Sequence, residues 1–298
     1  MTAITAKKIR LVRLAVLAGL AAVAIASLIA VTLRPDGLVA SLVRATHLTW
    51  PRPSIFGTYH LIMLGLCLTV MAAVAWLYPK FPRERLDSLL FCAGVALFVL
   101  ELYKQLYHLV VLTGGAYNFG ILPLQFCSYS LYLYLLIPLL PTGRFKDALL
   151  DFAALYQTMG GCIVMGYPTL YAEVALSLHT MLWHTLMIGV GMLVLLVRGY
   201  QKPYLKEMLP STLVFIVTVS VAVVLNFVLT PYTDESLQPL NLFYISPYIQ
   251  SHYIIIGDVQ RAFGWLASVV VYVLMFVLIG ANVVWVIGRG IKVLHKDC

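Results

Sequence analysis

The stretch 119-FGILPLQFCSYSLYLYLLIPLLP-141 is long and apolar enough to cross a membrane, and the other segments are interpreted around it. Near one end it carries Gln125, Cys127 and Ser128. An unpaired amide in hydrocarbon costs several kcal/mol, so this polar face should look inward, toward other helices or a cavity. A second apolar stretch, 173-EVALSLHTMLWHTLMIGVGMLVLLV-197, carries His179 and His184. We predict that these two helices bring a cysteine and a histidine together inside the membrane.

The composition excludes an ordinary soluble protein. The chain is 62% hydrophobic and 11% charged, with a mean hydropathy of +0.94, whereas soluble domains carry roughly a quarter charged residues. The net charge of +8 therefore indicates basic cytoplasmic loops and not nucleic-acid binding. The five cysteines form no CxxC pair, so neither a disulfide framework nor a zinc signature is present.

The hydropathy pattern predicts an all-α fold, a polytopic transmembrane helical bundle of about eight spans. We treat 1–298 as one integral membrane domain, with an extra N-terminal helix in 1–40 and a core bundle in 57–290. A cleaved signal sequence is the alternative for the first span, and it would leave seven spans in the same orientation. The predicted spans are 14–33, 59–78, 88–113, 119–141, 148–170, 173–197, 211–230 and 263–287.

The basic residues predict the orientation of the bundle. Fifteen of the 20 Lys and Arg residues fall in the two termini and in the loops 79–87, 142–147 and 198–206. Because cytoplasmic loops are enriched in Lys and Arg, both termini are predicted to be cytoplasmic. The expected location is the cell membrane, as a bacterial plasma membrane protein.

Several ionisable or polar residues lie inside predicted spans, where they are functional candidates by default. Glu101 and Lys104 are three residues apart, so they share a helix face and can pair; this pair is either a structural lock between helices or part of a site. Counted from the predicted outer span ends, the candidates lie about 7–16 Å deep, so they should cluster in the outer half of the bilayer. These candidates are Lys104, Cys127, His179, His184 and Asn226.

A cysteine beside a histidine can act as a nucleophile, because the imidazole accepts the thiol proton. A third group usually orients the histidine, and Asn226, Ser177 and Glu101 all remain open for that role. His179 and His184 are about 140° apart around a helix, so they should point to different sides and not share a metal. We predict no metal site and no cofactor.

The motifs 121-ILPLQFCSYSLYLYL-135, 160-GGCIVMGYP-168 and 177-SLHTMLWHTLM-187 together resemble the YwaF-like, or transmembrane protein 164, family. The segments 225-LNF-227 and 240-LNLFYISPY-248 are also similar to it. The resemblance covers roughly 95–285, in matching order. It implies a multi-pass lipid acyltransferase that moves a fatty acyl chain between phospholipids through a cysteine and a histidine.

On this resemblance, Cys127 is the expected nucleophile and His184 the expected base. Gln125 stands where many members have histidine, which removes one possible base and gives more weight to His184. His179 is a secondary candidate. The implied partners are membrane phospholipids, nucleic acid is not an expected partner, and the oligomeric state stays open. The residues expected to support the site are Gln125, His179, Asn226, Glu101, Lys104 and Asn241.

Two other functions remain open at this point. Glu101, Lys104 and the intramembrane histidines could line a proton or solute path in a transporter or channel. The absence of a visible sequence repeat argues against that function. Alternatively the polar residues could only join helices, in a membrane scaffold without catalytic activity.

Overall fold

The structure, a computed structural model, describes residues 3–199, 204–233 and 239–294, with the backbone alone described for 3–6 and 204–207. Lys202, in the predicted basic loop, and Cys298, in the predicted basic tail, lie outside these residues. The described chain is helical, and its α-helices are α1 Ala3–Leu33, α2 Leu38–Ala45, α3 Thr58–Leu77, α4 Leu86–Tyr107, α5 Tyr129–Leu136, α6 Arg144–Phe152, α7 Thr158–Gly166, α8 Val174–Arg198, α9 Tyr204–Leu229, α10 Ile254–Phe263, α11 Trp265–Leu274 and α12 Ala281–Leu294.

The prediction of an all-α polytopic bundle is confirmed. Within the described residues, seven continuous helical segments are long and apolar enough to cross a membrane. This is a multi-span helical membrane protein. The segments are Lys7–Leu33, Thr58–Lys80, Arg83–Leu112, Arg144–Gly166, Val174–Arg198, Met208–Tyr232 and Trp265–Leu294.

The predicted fourth span differs from its expected form. The apolar helix runs only from Phe126 to Leu139, so Cys127 lies in its first turn and not eight residues inside it. Pro123 explains the late start, because it lacks an N–H group and forces the preceding Leu122 out of the helical region (φ −49°, ψ 130°). The segment 119–125 is consequently an irregular approach to the cysteine.

Three of the long segments contain a π-helical turn. These turns are His108–Leu112 after α4, Ala153–Gln157 between α6 and α7, and Met275–Gly280 between α11 and α12. A π turn in an α-helix is rare and frequently marks a functional site. Here each turn contributes a residue to the surroundings of Cys127, as described below.

The segment Val174–Arg198 is the central helix, with most of its length buried inside the bundle. Its neighbours pack closely through glycine. A Cβ added at Gly160 would approach Phe126 Cε1 to 2.5 Å, and one at Gly94 would approach Leu135 N to 2.9 Å. The helix that begins at Phe126 therefore packs closely against both α4 and α7, at these two glycines.

Ion pairs join the helices at one end of the bundle. Arg198 donates to Asp151 from Nε at 2.6 Å and to Asp147 from Nη1 at 2.8 Å. Lys146 donates to Asp87 at 2.7 Å. This end contains the loops that the charge distribution assigns to the cytoplasm, whereas the start of α8, at the opposite end, lies next to the cavity described below.

A candidate active-site cavity

A cavity of about 470 Å³ lies among α4, α7, α8, α10, α11 with the π turn that follows it, the segment 125–128 before α5 and the loop before α10. The prediction that the polar face of 125–128 looks inward is confirmed, since Gln125, Cys127 and Ser128 all line this cavity. Asn226 and Asn241 are not among its wall residues. The other predicted site residues in the wall are Glu101, Lys104, His179 and His184.

Cys127 is held by hydrogen bonds to the backbone around it. Its carbonyl oxygen accepts from Ser130 Oγ at 2.7 Å and from Trp183 Nε1 at 3.3 Å, which ties the cysteine to α8. The preceding carbonyl, of Phe126, accepts from Gln157 Nε2 at 3.1 Å, and Gln157 ends the second π turn. These hydrogen bonds fix the backbone position of Cys127 on the cavity wall.

His184 has a defined orientation. Its Nδ1 lies 2.6 Å from the carbonyl oxygen of Thr180, and a carbonyl oxygen can only accept, so Nδ1 carries the hydrogen in the neutral ring. Nε2 then has a free lone pair. It is buried and has no hydrogen-bond partner among the described residues, in a side chain that lines the cavity. The imidazole is thus presented as an acceptor, which is the form that a base requires.

His179 lines the same cavity, although the sequence spacing predicted that it would point to a different side from His184. The cavity is wide enough to reach both positions. The ring of His179 lies 5.4 Å from that of Trp183, and its Nε2 is also buried, with no partner in the part of the chain that the structure describes. Neither imidazole is hydrogen-bonded to Cys127 Sγ.

The predicted pairing of Glu101 with Lys104 is confirmed, with 2.9 Å between Nζ and Oε1. Gln105 Nε2 also donates to Oε1, at 2.7 Å, and to the carbonyl of Ile121 at 2.9 Å. The other carboxylate oxygen, Oε2, is buried and has no partner within residues 3–199, 204–233 and 239–294. The pair therefore joins α4 to the irregular segment before Cys127, and it also places a charged group on the cavity wall.

Gln125 and Asn226 have a common role that the sequence did not reveal. Gln125 Nε2 donates to Asn241 O, and Gln125 Oε1 accepts from Phe243 N, both at 2.9 Å. Asn226 likewise brackets Leu242, donating to its carbonyl at 2.9 Å and accepting from its N–H at 2.8 Å. Each amide replaces a missing backbone partner, so together they fix the segment 240–246 against the bundle.

The segment 240–246 brings two aromatic rings to the cavity. Phe243 and Tyr244 have positive φ values of 57° and 59°, and both line the wall. Asn241 stabilises this conformation from within, because its Oδ1 accepts from Ser246 N at 2.9 Å. Non-glycine residues rarely adopt positive φ, and such residues cluster at functional sites. The sequence motif 240-LNLFYISPY-248 singled out this segment, but the residue types in it did not reveal that the segment forms part of the cavity wall.

The remainder of the wall is largely apolar. The volume falls within the roughly 300–1,000 Å³ typical of small-molecule sites, which combine an apolar lining with a few polar groups. Such a wall suits a hydrocarbon chain, with the polar groups gathered near Cys127. The apolar lining includes Ile121, Met159, Ile163, Val164, Ile256, Met275, Phe276 and Ile279.

In the part of the chain that the structure describes, no three His, Cys, Asp or Glu residues lie close enough together to hold a metal ion. Comparison with protein-family models, with curated proteins and with solved structures gave no match in any of the three. The cavity must therefore be interpreted from its own chemistry.

Proposed function

We propose that this protein is a membrane-embedded acyltransferase that moves a fatty acyl chain between lipids, with Cys127 as nucleophile and His184 as base. The observation that carries the proposal is that His184 and Cys127 line the same cavity, while His184 Nδ1 is held by the carbonyl of Thr180 and its Nε2 has no partner among the described residues. The apolar wall supports a lipid substrate. The resemblance of the cysteine and histidine motifs to the YwaF-like family supports the same reaction.

The proposed reaction has two steps, and His184 carries the proton in both. In the first, the thiol proton passes to Nε2, the thiolate attacks the ester carbonyl of a donor lipid, and the C–O bond breaks as the imidazolium returns the proton to the leaving alkoxide. In the second, a hydroxyl of the acceptor gives its proton to Nε2 and attacks the thioester, and the thiol re-forms. A water molecule in the cavity, or rotation of the thiol, has to connect Sγ with Nε2, because no hydrogen bond joins them in the free protein.

The experiment is acyl exchange by purified protein in phosphatidylcholine liposomes that contain an isotopically labelled acyl chain and a lysophospholipid acceptor. We expect Cys127→Ser to abolish exchange, and His184→Ala to lower the rate by about 10²–10⁴-fold, the usual contribution of a general base. Cys162→Ser is the matched control, since Cys162 is also half-buried but lies outside the cavity wall. Exchange that survives both Cys127→Ser and His184→Ala would rule the proposal out.

A transporter of protons or small solutes is the second candidate. It is favoured by one observation, the unpartnered Oε2 of Glu101 beside Lys104 on the cavity wall. Flux into liposomes that depends on Glu101 and not on Cys127 would support this candidate in place of acyl transfer.

A further inference from the structure

The cavity wall includes apolar residues that are strongly exposed on the outer surface of the bundle. Ile254 is 68% exposed, Ile279 56%, Ile255 53% and Tyr167 48%, yet each of them lines the cavity. A residue that is both a wall residue and exposed marks an opening. We call the opening between these four residues the lateral slot.

The lateral slot runs along the side of the bundle. Tyr167 directly follows α7, and Ile254 begins α10, so these two mark the end of the slot nearest the loops. Ile279 lies fourteen residues after Trp265 in the 30-residue segment Trp265–Leu294, close to its middle. Along α7, the eight residues from Met159 to Tyr167 cover about 12 Å, and this is the length of the slot.

The slot is closed at its inner end by a tight helix contact. A Cβ added at Gly280, the residue after Ile279, would approach Met159 Cγ to 2.7 Å. The helix α7 and the π turn Met275–Gly280 therefore touch at this contact, and they are apart between the contact and the end of the slot at Tyr167. Since the contact lies near the middle of a membrane-spanning segment, the slot spans about the depth of one leaflet.

We propose that the lateral slot admits one hydrocarbon chain of a membrane lipid directly from the adjoining leaflet, with the chain lying between α7 and the π turn. One side of the slot is formed by the segment Trp265–Leu294, most of which is exposed on the outside of the bundle, so the natural neighbour of the slot is hydrocarbon. All four slot residues are apolar or aromatic, as a hydrocarbon occupant requires. The chain's role as substrate rests on the proposed function, but its entry does not.

The test is photocrosslinking in phosphatidylcholine vesicles doped with a phosphatidylcholine that carries a diazirine midway along one acyl chain. Adducts are mapped by mass spectrometry. In the wild-type protein we expect adducts on inward-facing wall residues such as Met159 and Phe276, as well as on the outer surface.

The discriminating variants are Ile279→Trp and Leu278→Trp. Leu278 is the adjacent residue and is 62% exposed, close to the value for Ile279, but it does not line the cavity. We expect Ile279→Trp to lose most of the adducts inside the cavity and to keep those on the outer surface. Leu278→Trp should keep both. Ile254→Trp, at the start of α10, repeats the test away from the π turn in case the first substitution disturbs folding.

The outcomes separate this proposal from the acyltransferase. Lateral entry would be overturned if the wild-type cavity gave no adducts. It would also be overturned if Ile279→Trp and Leu278→Trp gave the same number of cavity adducts and Ile254→Trp did not lower that number. Either result would count against lateral entry even if acyl exchange requires Cys127. Cavity adducts in a wild-type protein that shows no acyl exchange would support lateral entry and rule out the proposed chemistry.

Discussion

At the scale of single residues, the cavity is notable for buried polar atoms that lack partners. Nε2 of His179, Nε2 of His184 and Oε2 of Glu101 are all buried and find no partner among the residues that the structure describes, and all three side chains line the wall. A buried polar group without a partner costs roughly 1–3 kcal/mol, and more when it is charged. A protein keeps such atoms where a ligand or an ordered water completes them.

The Glu101–Lys104 pair gives a residue-scale prediction. Glu101→Ala should lower the free energy of unfolding by about 3 kcal/mol, because Lys104 is then left in a largely buried position without its counter-charge. The double variant Glu101→Leu, Lys104→Met should recover most of that loss. Thermal unfolding in detergent micelles measures both.

The control for this prediction is Asp258→Ala. Asp258 and Arg261 form a second pair at the same three-residue spacing, but their side chains are 56% and 62% exposed. Its loss should cost less than about 1 kcal/mol. A cost equal to that of Glu101→Ala would show that burial does not determine the strength of the cavity pair.

At the scale of elements, the sequence predicted the helices better than the segments between them. The alternation of long apolar runs with polar and basic connections identified every spanning segment. The late start of the helix at Phe126 was missed because the apolar run continues through Pro123, and the hydropathy of a segment does not show where its backbone stops being helical. The segment 240–246 was missed for another reason, since its conformation depends on amides that are over a hundred residues away (Gln125) or on another helix (Asn226).

These amides give the element-scale prediction. Gln125→Ala and Asn226→Ala should each lower the free energy of unfolding by about 2 kcal/mol, since each leaves a buried backbone N–H unpaired and removes one of the hydrogen bonds to a carbonyl. They should also raise hydrogen exchange across 240–246. Mass spectrometry of exchanging peptides, together with thermal unfolding, measures both effects.

Asn282→Ala is the matched control for the two amides. Asn282 Nδ2 donates only to the carbonyls of Val277 and Leu278, within its own continuous helical segment. Its removal should leave exchange in 240–246 unchanged. Protection of 240–246 that is unaffected by Gln125→Ala and Asn226→Ala would mean that packing alone holds this segment.

At the scale of the whole molecule, composition and helix periodicity were sufficient for the fold class. They also grouped the polar residues by depth, and the structure places Lys104, Cys127, His179 and His184 on one cavity wall as a result. The same argument placed Asn226 in this group, but its side chain instead holds the segment 240–246 in place. The depth of a residue along a helix can be predicted from the sequence by counting residues. The direction in which its side chain points within the bundle depends on the rotation of the helix, and the π turns alter that rotation.

The orientation in the membrane remains a prediction from the basic loops. In a protein whose own cysteines are replaced by alanine, we expect Ala116→Cys to react with a membrane-impermeant maleimide added to intact cells. Thr142→Cys should react only after the cells are opened, because its loop is predicted to be cytoplasmic. The reverse labelling pattern would invert the orientation and move the mouth of the cavity to the cytoplasmic leaflet.

The π turns have a consequence for how this cavity could change or be lost. Each turn accommodates one residue more than an α-helical turn, so removal of a single residue there would restore a regular helix. Because the π turn absorbs the extra residue, the helix on either side would keep its register, and the change would fall on the residues within the turn. In Met275–Gly280 those residues include Phe276 and Ile279, which both line the cavity, so the deletion would reshape the wall and the lateral slot while the surrounding helices stayed in place. The number of residues in three short turns therefore shapes this cavity as much as their chemical identity does, and no substitution could compensate for a change in that number.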